Sequence, residues 1–273
     1  MPGRLFLVAT PIGNLGDLSP RAVETLRAVQ LVACEDTRHS RILLDQHGVS
    51  TPTQSLPAFS EGARAEGLIA RLLAGADVAL VTDAGSPGVS DPGERLVAEA
   101  VEAGVEVLAI PGPTALVAAL TVSGLPTGRF HFLGFLPRQA SEARAMLEEV
   151  EALAATLVLY ESPRRTADTL GLLAEVLGDR RACVARELTK LHEEVLRDRL
   201  GALAATLGGR EVRGEVVIVV EGRTGAPRWS EEEVQAAVQA GLARGERLKP
   251  LSTELARLSG WTSQAVYRLG LRR

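Results

Sequence analysis

Residues 79–93 read Ala79-Leu-Val-Thr-Asp-Ala-Gly-Ser-Pro-Gly-Val-Ser-Asp-Pro-Gly93. The run Asp77-Val-Ala-Leu-Val81 just before Thr82 is β-prone and carries no charge after Asp77. That is the pattern of an interior strand in a parallel sheet. Asp83, Gly85, Ser86 and Gly88 then fall at the strand's carboxyl end, and Asp91-Pro92 predicts the N-cap and first position of a helix. Open α/β sheets bind ligands beyond the carboxyl ends of their strands. Small residues there let a ligand approach the backbone, and Asp83 offers an acceptor for hydroxyls or amines. Taken alone, an ordinary strand-to-helix turn explains the stretch equally well.

The same grammar recurs on either side. Residues 4–9 predict a strand running into Thr10-Pro-Ile-Gly-Asn14, and Val105–Ile110 a strand running into Pro111-Gly-Pro-Thr-Ala115. Ser19-Pro20 opens a helix, Leu31–Cys34 is a short strand, and a helix follows Glu35-Asp-Thr-Arg-His-Ser40 as far as Leu44. Helices are expected at 61–75 and 92–103. Strands alternating with helices over short connections argue for a parallel sheet of βαβ units. Three Gly/Pro turns on one sheet edge define a crevice, which a single turn does not.

The character changes near Leu125-Pro-Thr-Gly128. Strands are expected at 130–135, 156–161, 181–188 and 214–221, with an extended stretch at 195–200. Helices fall at 141–152, 163–177 and 201–207, so the second half is α+β or mixed. Residues 222–228 have the composition of a linker. Three short helical patterns follow, at 230–243, 250–258 and 262–270. Ser252–Leu269 has the length of a helix-turn-helix with Gly260 at its corner, though a small helical cap accounts for it as well. The expected organisation is an α/β unit at 1–118, a second at 119–223 and a helical unit at 229–273.

Composition narrows the chemistry. The chain has 273 residues, 46% of them hydrophobic and 3% aromatic, so its core must be built of Leu, Val and Ala. A net charge of −4 leaves any RNA contact to a local basic patch. Cys34 and Cys183 form no CxxC pair and lie in apolar runs, so they predict buried small hydrophobes. No stretch of about 18 apolar residues suggests a membrane span, and a cytoplasmic protein is expected. No Gly-Lys pair occurs, which excludes a P-loop. The first turn is not GxGxxG, no Gly-x-Ser-x-Gly elbow appears, and four scattered histidines suggest no triad and no metal site.

Polar residues gather at strand ends of the second half: Tyr160, Glu161, Arg164 and Arg165, then Glu187, Thr189 and Lys190, then Gly214 and Glu215. Two arginines at a helix start oppose its dipole unless an anion sits there. With these residues in view, the chain resembles a known family. Val8-Ala-Thr-Pro-Ile-Gly-Asn-Leu15, Glu35-Asp-Thr-Arg-His39, Val81-Thr-Asp-Ala-Gly-Ser-Pro87, Asp91-Pro-Gly93, Pro111-Gly-Pro113, Gly134-Phe-Leu-Pro137, Tyr160-Glu-Ser162, Arg186-Glu-Leu-Thr-Lys190 and Gly214-Glu215 match it in order. The family is that of ribosomal RNA ribose methyltransferases with the tetrapyrrole methylase fold, and the match covers residues 4–222.

The resemblance implies two α/β domains with S-adenosylmethionine between them, a homodimer, and methylation of a cytidine 2′-hydroxyl in the decoding centre of 16S ribosomal RNA. The acceptor is RNA, not DNA, within the small ribosomal subunit. Carried over motif by motif, the cofactor would be held by Pro11, Asp83, Ala84, Gly85, Ser86, Val89, Thr114 and Ala115, and closed over by Tyr160, Leu188 and Glu215. A cofactor without phosphate is in keeping with glycine turns that lack a P-loop lysine. Glu161, Lys190 and Asp36 are the candidates to take the proton or steady the developing alkoxide. Arg38, Arg138, Arg164 and Arg165 are candidates for RNA phosphates. Two rivals stay open: a small-molecule methylase of the same fold acting on corrin or porphyrin precursors, and a non-catalytic RNA-binding factor.

Overall fold

The structure is a computed structural model that describes residues 1–56, 61–224, 229–259, 261 and 263–271. Gly260, the expected corner of the helix-turn-helix, lies outside the described residues, as does part of the expected linker.

The first unit comprises β1 (Arg4–Val8), α1 (Pro20–Ala28), β2 (Leu31–Cys34), α2 (Thr37–Gln46), β3 (Thr53–Ser55), α3 (Glu61–Leu73), β4 (Val78–Val81), α4 (Glu94–Glu102) and β5 (Glu106–Ile110). Its sheet has the order β3-β2-β4-β1-β5, and every pairing is parallel. β4 is buried along its whole length, as its uncharged sequence requires. The connection leaving β1 crosses to one side, to β2, while that leaving β4 crosses to the other, to β5. The sheet therefore switches direction between β1 and β4, where ligand crevices form.

The second unit begins with α5 (Ala115–Val122) and continues through β6 (Phe130–Phe135), α6 (Ala140–Val150), β7 (Thr156–Glu161), α7 (Thr166–Leu177), β8 (Arg181–Arg186), β9 (Glu194–Arg199), α8 (Leu200–Gly208) and β10 (Val216–Val220). Its sheet runs β6-β7-β10-β8-β9; β6 and β7 are parallel and the other pairings antiparallel. The central strand β10, Val-Val-Ile-Val-Val, is wholly buried, as suits a β-branched run.

Three features depart from the sequence reading. The expected boundary at 118/119 falls inside α5, whose Leu116, Ala119 and Leu120 join a core with Val158, Val217 and Val219 of the second sheet. This helix is apolar all round and gives no amphipathic period to read. The helix expected from Pro92 starts at Glu94, with Gly93 as its N-cap and no side-chain cap bond. Asp91 and Pro92 stay in the loop, where Gly88 N–H donates to Pro92 O at 3.3 Å. The strand expected to reach Leu188 stops at Arg186, because Glu187 and Thr189 adopt left-handed backbone at φ 51° and 67°.

The units are joined through Ile12. It sits in the loop after β1 yet is 5% exposed and packs in the core with Leu116, Leu188 and Val217. The carboxyl-terminal helices α9 (Glu231–Ala243), α10 (Leu248–Ser259) and α11 (Ser263–Leu271) enclose their own core of Val234, Val238, Leu251, Leu255, Val266 and Leu269. A capping box between Ser230 and Glu233 starts α9. No described helix is long and apolar enough to cross a membrane.

Candidate active site

The three turns meet. Thr10 N–H donates to Gly85 O at 2.8 Å and Gly85 N–H returns a bond to Thr10 O at 3.1 Å, stitching the loop after β1 to the loop after β4. Thr10 Oγ1 adds a bond to Thr82 O at 3.0 Å. The backbone after β5 enters the same edge, where Leu116 N–H donates to Tyr160 Oη at 3.2 Å. That bond crosses from the start of α5 to β7. Phe132 and Phe135 pack edge-on to the Tyr160 ring, at 4.9 and 5.6 Å between centroids. Burial pushes the Tyr160 phenol up, which keeps it protonated.

On the far side, the Arg186–Lys190 turn presses on the loop after β1. A Cβ on Gly13 would lie 2.5 Å from Lys190 Cγ and 2.9 Å from Leu188 O, so only glycine allows the approach. Asn14 N–H donates to Thr189 Oγ1 at 3.0 Å across the same contact. Glu187 Oε1 accepts from Lys190 Nζ at 2.9 Å and from Glu215 N–H at 3.1 Å; Lys190 Nζ also reaches Glu215 Oε2 at 3.1 Å. A side chain on Gly214 would collide with the Glu187 carboxylate. Left-handed backbone at Ser90, Glu187 and Thr189, none of them glycine, surrounds the cleft. Such strain collects at working sites.

Two compartments open along this seam. The first, about 260 Å³, lies between the units and is lined by Ala84, Gly85, Ser86, Val89, Thr114, Ala115, Tyr160 and Glu215, with Asp91 and Phe135. The second, about 340 Å³, is lined by Pro11, Gly13, His39, Ser40, Asp83 and Lys190. Ile12, Ala84 and Glu215 face both. Eight of the eleven candidate cofactor residues thus line the first compartment, while Pro11 and Asp83 line the second. Leu188 lines neither and is buried in the shared core.

The cleft is acidic. Burial, then the charges of Glu35, Asp83 and Glu215, push Asp91 up to about 6. Burial, then Asp83 and Asp36, push Glu35 up as well. For Lys190, burial pulls its pKa down, but the bonds and charges of Glu187 and Glu215 outweigh it and the net direction is up. Lys190 is therefore a cation held between two carboxylates.

The other expected catalytic and RNA residues occupy varied places. Glu161 lines the first compartment. It is buried and fully engaged: Ser162 N–H at 2.7 Å, Thr169 Oγ1 at 2.6 Å and Arg165 at 3.5 Å. Asp36 caps α2 and pairs with Arg38 at 2.8 Å; that hydrogen bond lowers its carboxyl to about 2. Neither Asp36 nor Arg38 lines either compartment. Arg165 donates to Leu136 O and Pro137 O at 3.2 and 3.0 Å, so it braces the loop after β6. Arg164 and Arg138 are exposed. Arg164 lines a separate groove with Arg210 and Arg213 that meets the first compartment at Pro163 and Gly214. Sequence reasoning missed Asp91, Ser40 and Phe135 as lining residues. The sequence reads Asp91 as a helix cap, Phe135 stands in the Gly134–Pro137 motif with no role attached to it, and Ser40 only follows the Glu35–His39 motif.

A two-unit α/β architecture with a cleft at the switch of its parallel sheet is a fold shared with solved methyltransferases. Residues 4–204 match the sequence profile of the Tetrapyrrole (Corrin/Porphyrin) Methylases. Ribosomal RNA small subunit methyltransferase I of Mesorhizobium japonicum is 45% identical over 97% of this chain and 90% of its own length. The protein of that name from Synechocystis is 44% identical, covering 98% of each chain. Among solved structures, uroporphyrin-III C-methyltransferase from Thermus thermophilus, complexed with S-adenosylhomocysteine, shares the fold. It superposes with a TM-score of 0.58 at 22% identity over 80% of this chain and 97% of that one. The chain belongs to the tetrapyrrole methylases and, within them, to the family of ribosomal RNA small subunit methyltransferase I.

Proposed function

We propose that the protein transfers a methyl group from S-adenosylmethionine to the 2′-hydroxyl of a cytidine in the decoding centre of 16S ribosomal RNA. The small ribosomal subunit would be the substrate, in the cytoplasm, and a homodimer the working form. The observation that carries this reading is the first compartment, walled by the three loops of the parallel sheet and by Tyr160 and Glu215 of the second unit.

The residues present fit the cofactor. Asp91 and Glu215 line the first compartment, with Glu35 and Asp83 near enough to act on Asp91. This concentration of negative charge favours a cation. Ile12, Val89, Ala115, Phe135 and Val217 give an apolar wall for a flat ring, and the turns at 84–86 and 114–115 leave backbone groups uncovered. When bound, S-adenosylmethionine supplies an electrophilic methyl group on a positively charged sulfur. Ala84, Gly85, Ser86, Val89, Thr114, Ala115, Tyr160 and Glu215 would hold it. Locked side chains around the cleft keep its walls in one arrangement, so alignment of the reacting groups would supply most of the acceleration. Glu161 acts through position, fixing the β7–α7 turn via Ser162, Thr169 and Arg165. Arg164 and Arg138 are free to meet RNA phosphates, and Arg38 is 90% exposed beside Asp36 and can reach them too; Arg165 is tied down.

The test is mass spectrometry of small-subunit RNA from a strain lacking the gene. One ribose methyl on a cytidine should vanish and return when the purified protein and S-adenosylmethionine are added to the subunits. Intact RNA methylation with altered corrin or porphyrin pools would favour the small-molecule rival instead.

A further inference from the structure

The two compartments differ in one respect that the cofactor does not explain. Among the described residues, two buried side-chain oxygens have no hydrogen-bond partner: Ser40 Oγ and Asp83 Oδ1. Both belong to residues that line the second compartment. Ser40 is 4% exposed and has only the Cys34 thiol, a weak partner, beside it. The two residues stand past the ends of neighbouring strands, since Cys34 of β2 pairs with Val81 of β4. A fold that otherwise satisfies its buried polar groups keeps such atoms for a partner from outside.

The partner's chemistry follows from the atoms. A carboxylate oxygen accepts and does not donate, so it asks for an N–H or O–H. A hydroxyl can do either. The walls add the imidazole of His39 at the rim and the rings and methyls of Pro11, Ile12 and Leu43. This set suits a flat heterocycle with an amino group on its edge. At about 340 Å³ the space lies at the small end of ligand sites, which run from about 300 to 1,000 Å³. Cytosine is the amino-bearing base with a single ring, and carboxylates are known to accept from its exocyclic amine.

We propose that the second compartment receives the acceptor base itself, swung out of the RNA stack, with Asp83 Oδ1 accepting from its exocyclic amine and Ser40 Oγ bonding the ring edge. The inference rests on the RNA-methylating reading above and adds where, and by which atoms, the acceptor nucleotide is chosen. The shared wall of Ile12, Ala84 and Glu215 is then where acceptor ribose and methyl donor meet. Asp83 moves from the cofactor's residues to the acceptor's. Uracil would present a carbonyl to Asp83 where cytosine presents an amine, so the compartment selects against it.

The experiment uses full-length protein and unmethylated small subunits carrying either cytidine or uridine at the target position. Affinity for S-adenosylhomocysteine is measured in parallel by calorimetry; it lacks the sulfonium charge, so losing a carboxylate does not confound the comparison. For the natural protein, the uridine subunits should lower kcat/KM by about 10- to 100-fold. Asp83→Asn should lower kcat/KM on cytidine subunits and shrink that discrimination to a few-fold. Ser40→Ala, which removes a hydroxyl with no partner but the weak Cys34 thiol and so leaves the fold intact, should raise KM for subunits about tenfold. Both variants should bind S-adenosylhomocysteine within about twofold of the natural protein. A more than tenfold loss of that affinity in either variant would put these atoms in the cofactor's site and overturn the proposal. So would unchanged KM and discrimination, which would leave the two oxygens serving solvent. If the natural protein methylates neither kind of subunit, the RNA-methylating reading itself fails, a result distinct from both.

Discussion

Asp91 shows how much a single side chain can hide. Burial among Glu35, Asp83 and Glu215 sets its carboxyl near 6, above the ordinary carboxylate range. A raised carboxyl favours the folded state below its unfolded value, and that contribution fades as pH climbs through 6. At neutral pH Asp91 therefore destabilises the fold, and Asp91→Asn should recover on the order of 1 kcal/mol, after discounting for its half-exposed position. A cation in the first compartment prefers the ionised form, so binding should expel a proton. Affinity for S-adenosylmethionine should fall as pH drops from 7.5 to 5, and calorimetry in buffers of different ionisation enthalpy should record the released proton. Asp91→Asn should bind more weakly at pH 7.5 and lose the pH dependence. At this scale the sequence was legible where a motif marked the residue, as at Gly85 and Tyr160. Asp91 stands in a motif too, but its raised carboxyl, like the bare hydroxyl of Ser40, is set by neighbours distant in the chain and could not be read.

Among the elements, the turn between β7 and α7 separates two adjacent arginines that look alike in sequence. Arg165 spends its guanidinium on Leu136 O, Pro137 O and the buried Glu161. Arg164 is exposed beside Arg210 and Arg213. Arg165→Ala should cost about 1–3 kcal/mol in unfolding experiments, since it leaves buried acceptors without a partner. Arg164→Ala should leave stability unchanged, weaken RNA binding, and reduce the salt slope of that binding by about one. Most elements could be located from periodicity and punctuation: β4, β10 and α1 announce themselves. The exceptions share a cause. α5 has no polar face, β3 is three residues long, and α4 begins late because its loop closes on itself first. Strand order in the second sheet is a matter of long-range pairing and was not legible at all.

For the molecule as a whole, the decisive feature is that Ile12 leaves its own unit and is buried in the other's core. Ile12→Ala should cost about 2–5 kcal/mol, as truncation of a buried aliphatic side chain does. It should lower the melting temperature of both sheets together, followed by exchange protection of β4 and β10. The sequence made the two-unit plan and the meeting of three turns legible, because each turn ends a strand of one parallel sheet. It did not reveal this peg, whose neighbours Tyr160–Leu116 and Asn14–Thr189 fasten the same seam. A jaw fastened at its hinge line cannot gape to swallow a guest. Entry must instead come edgewise, through the mouth rimmed by the loop that carries Ser86 to Asp91, so the tempo of turnover should be set by that loop and not by swings of whole halves.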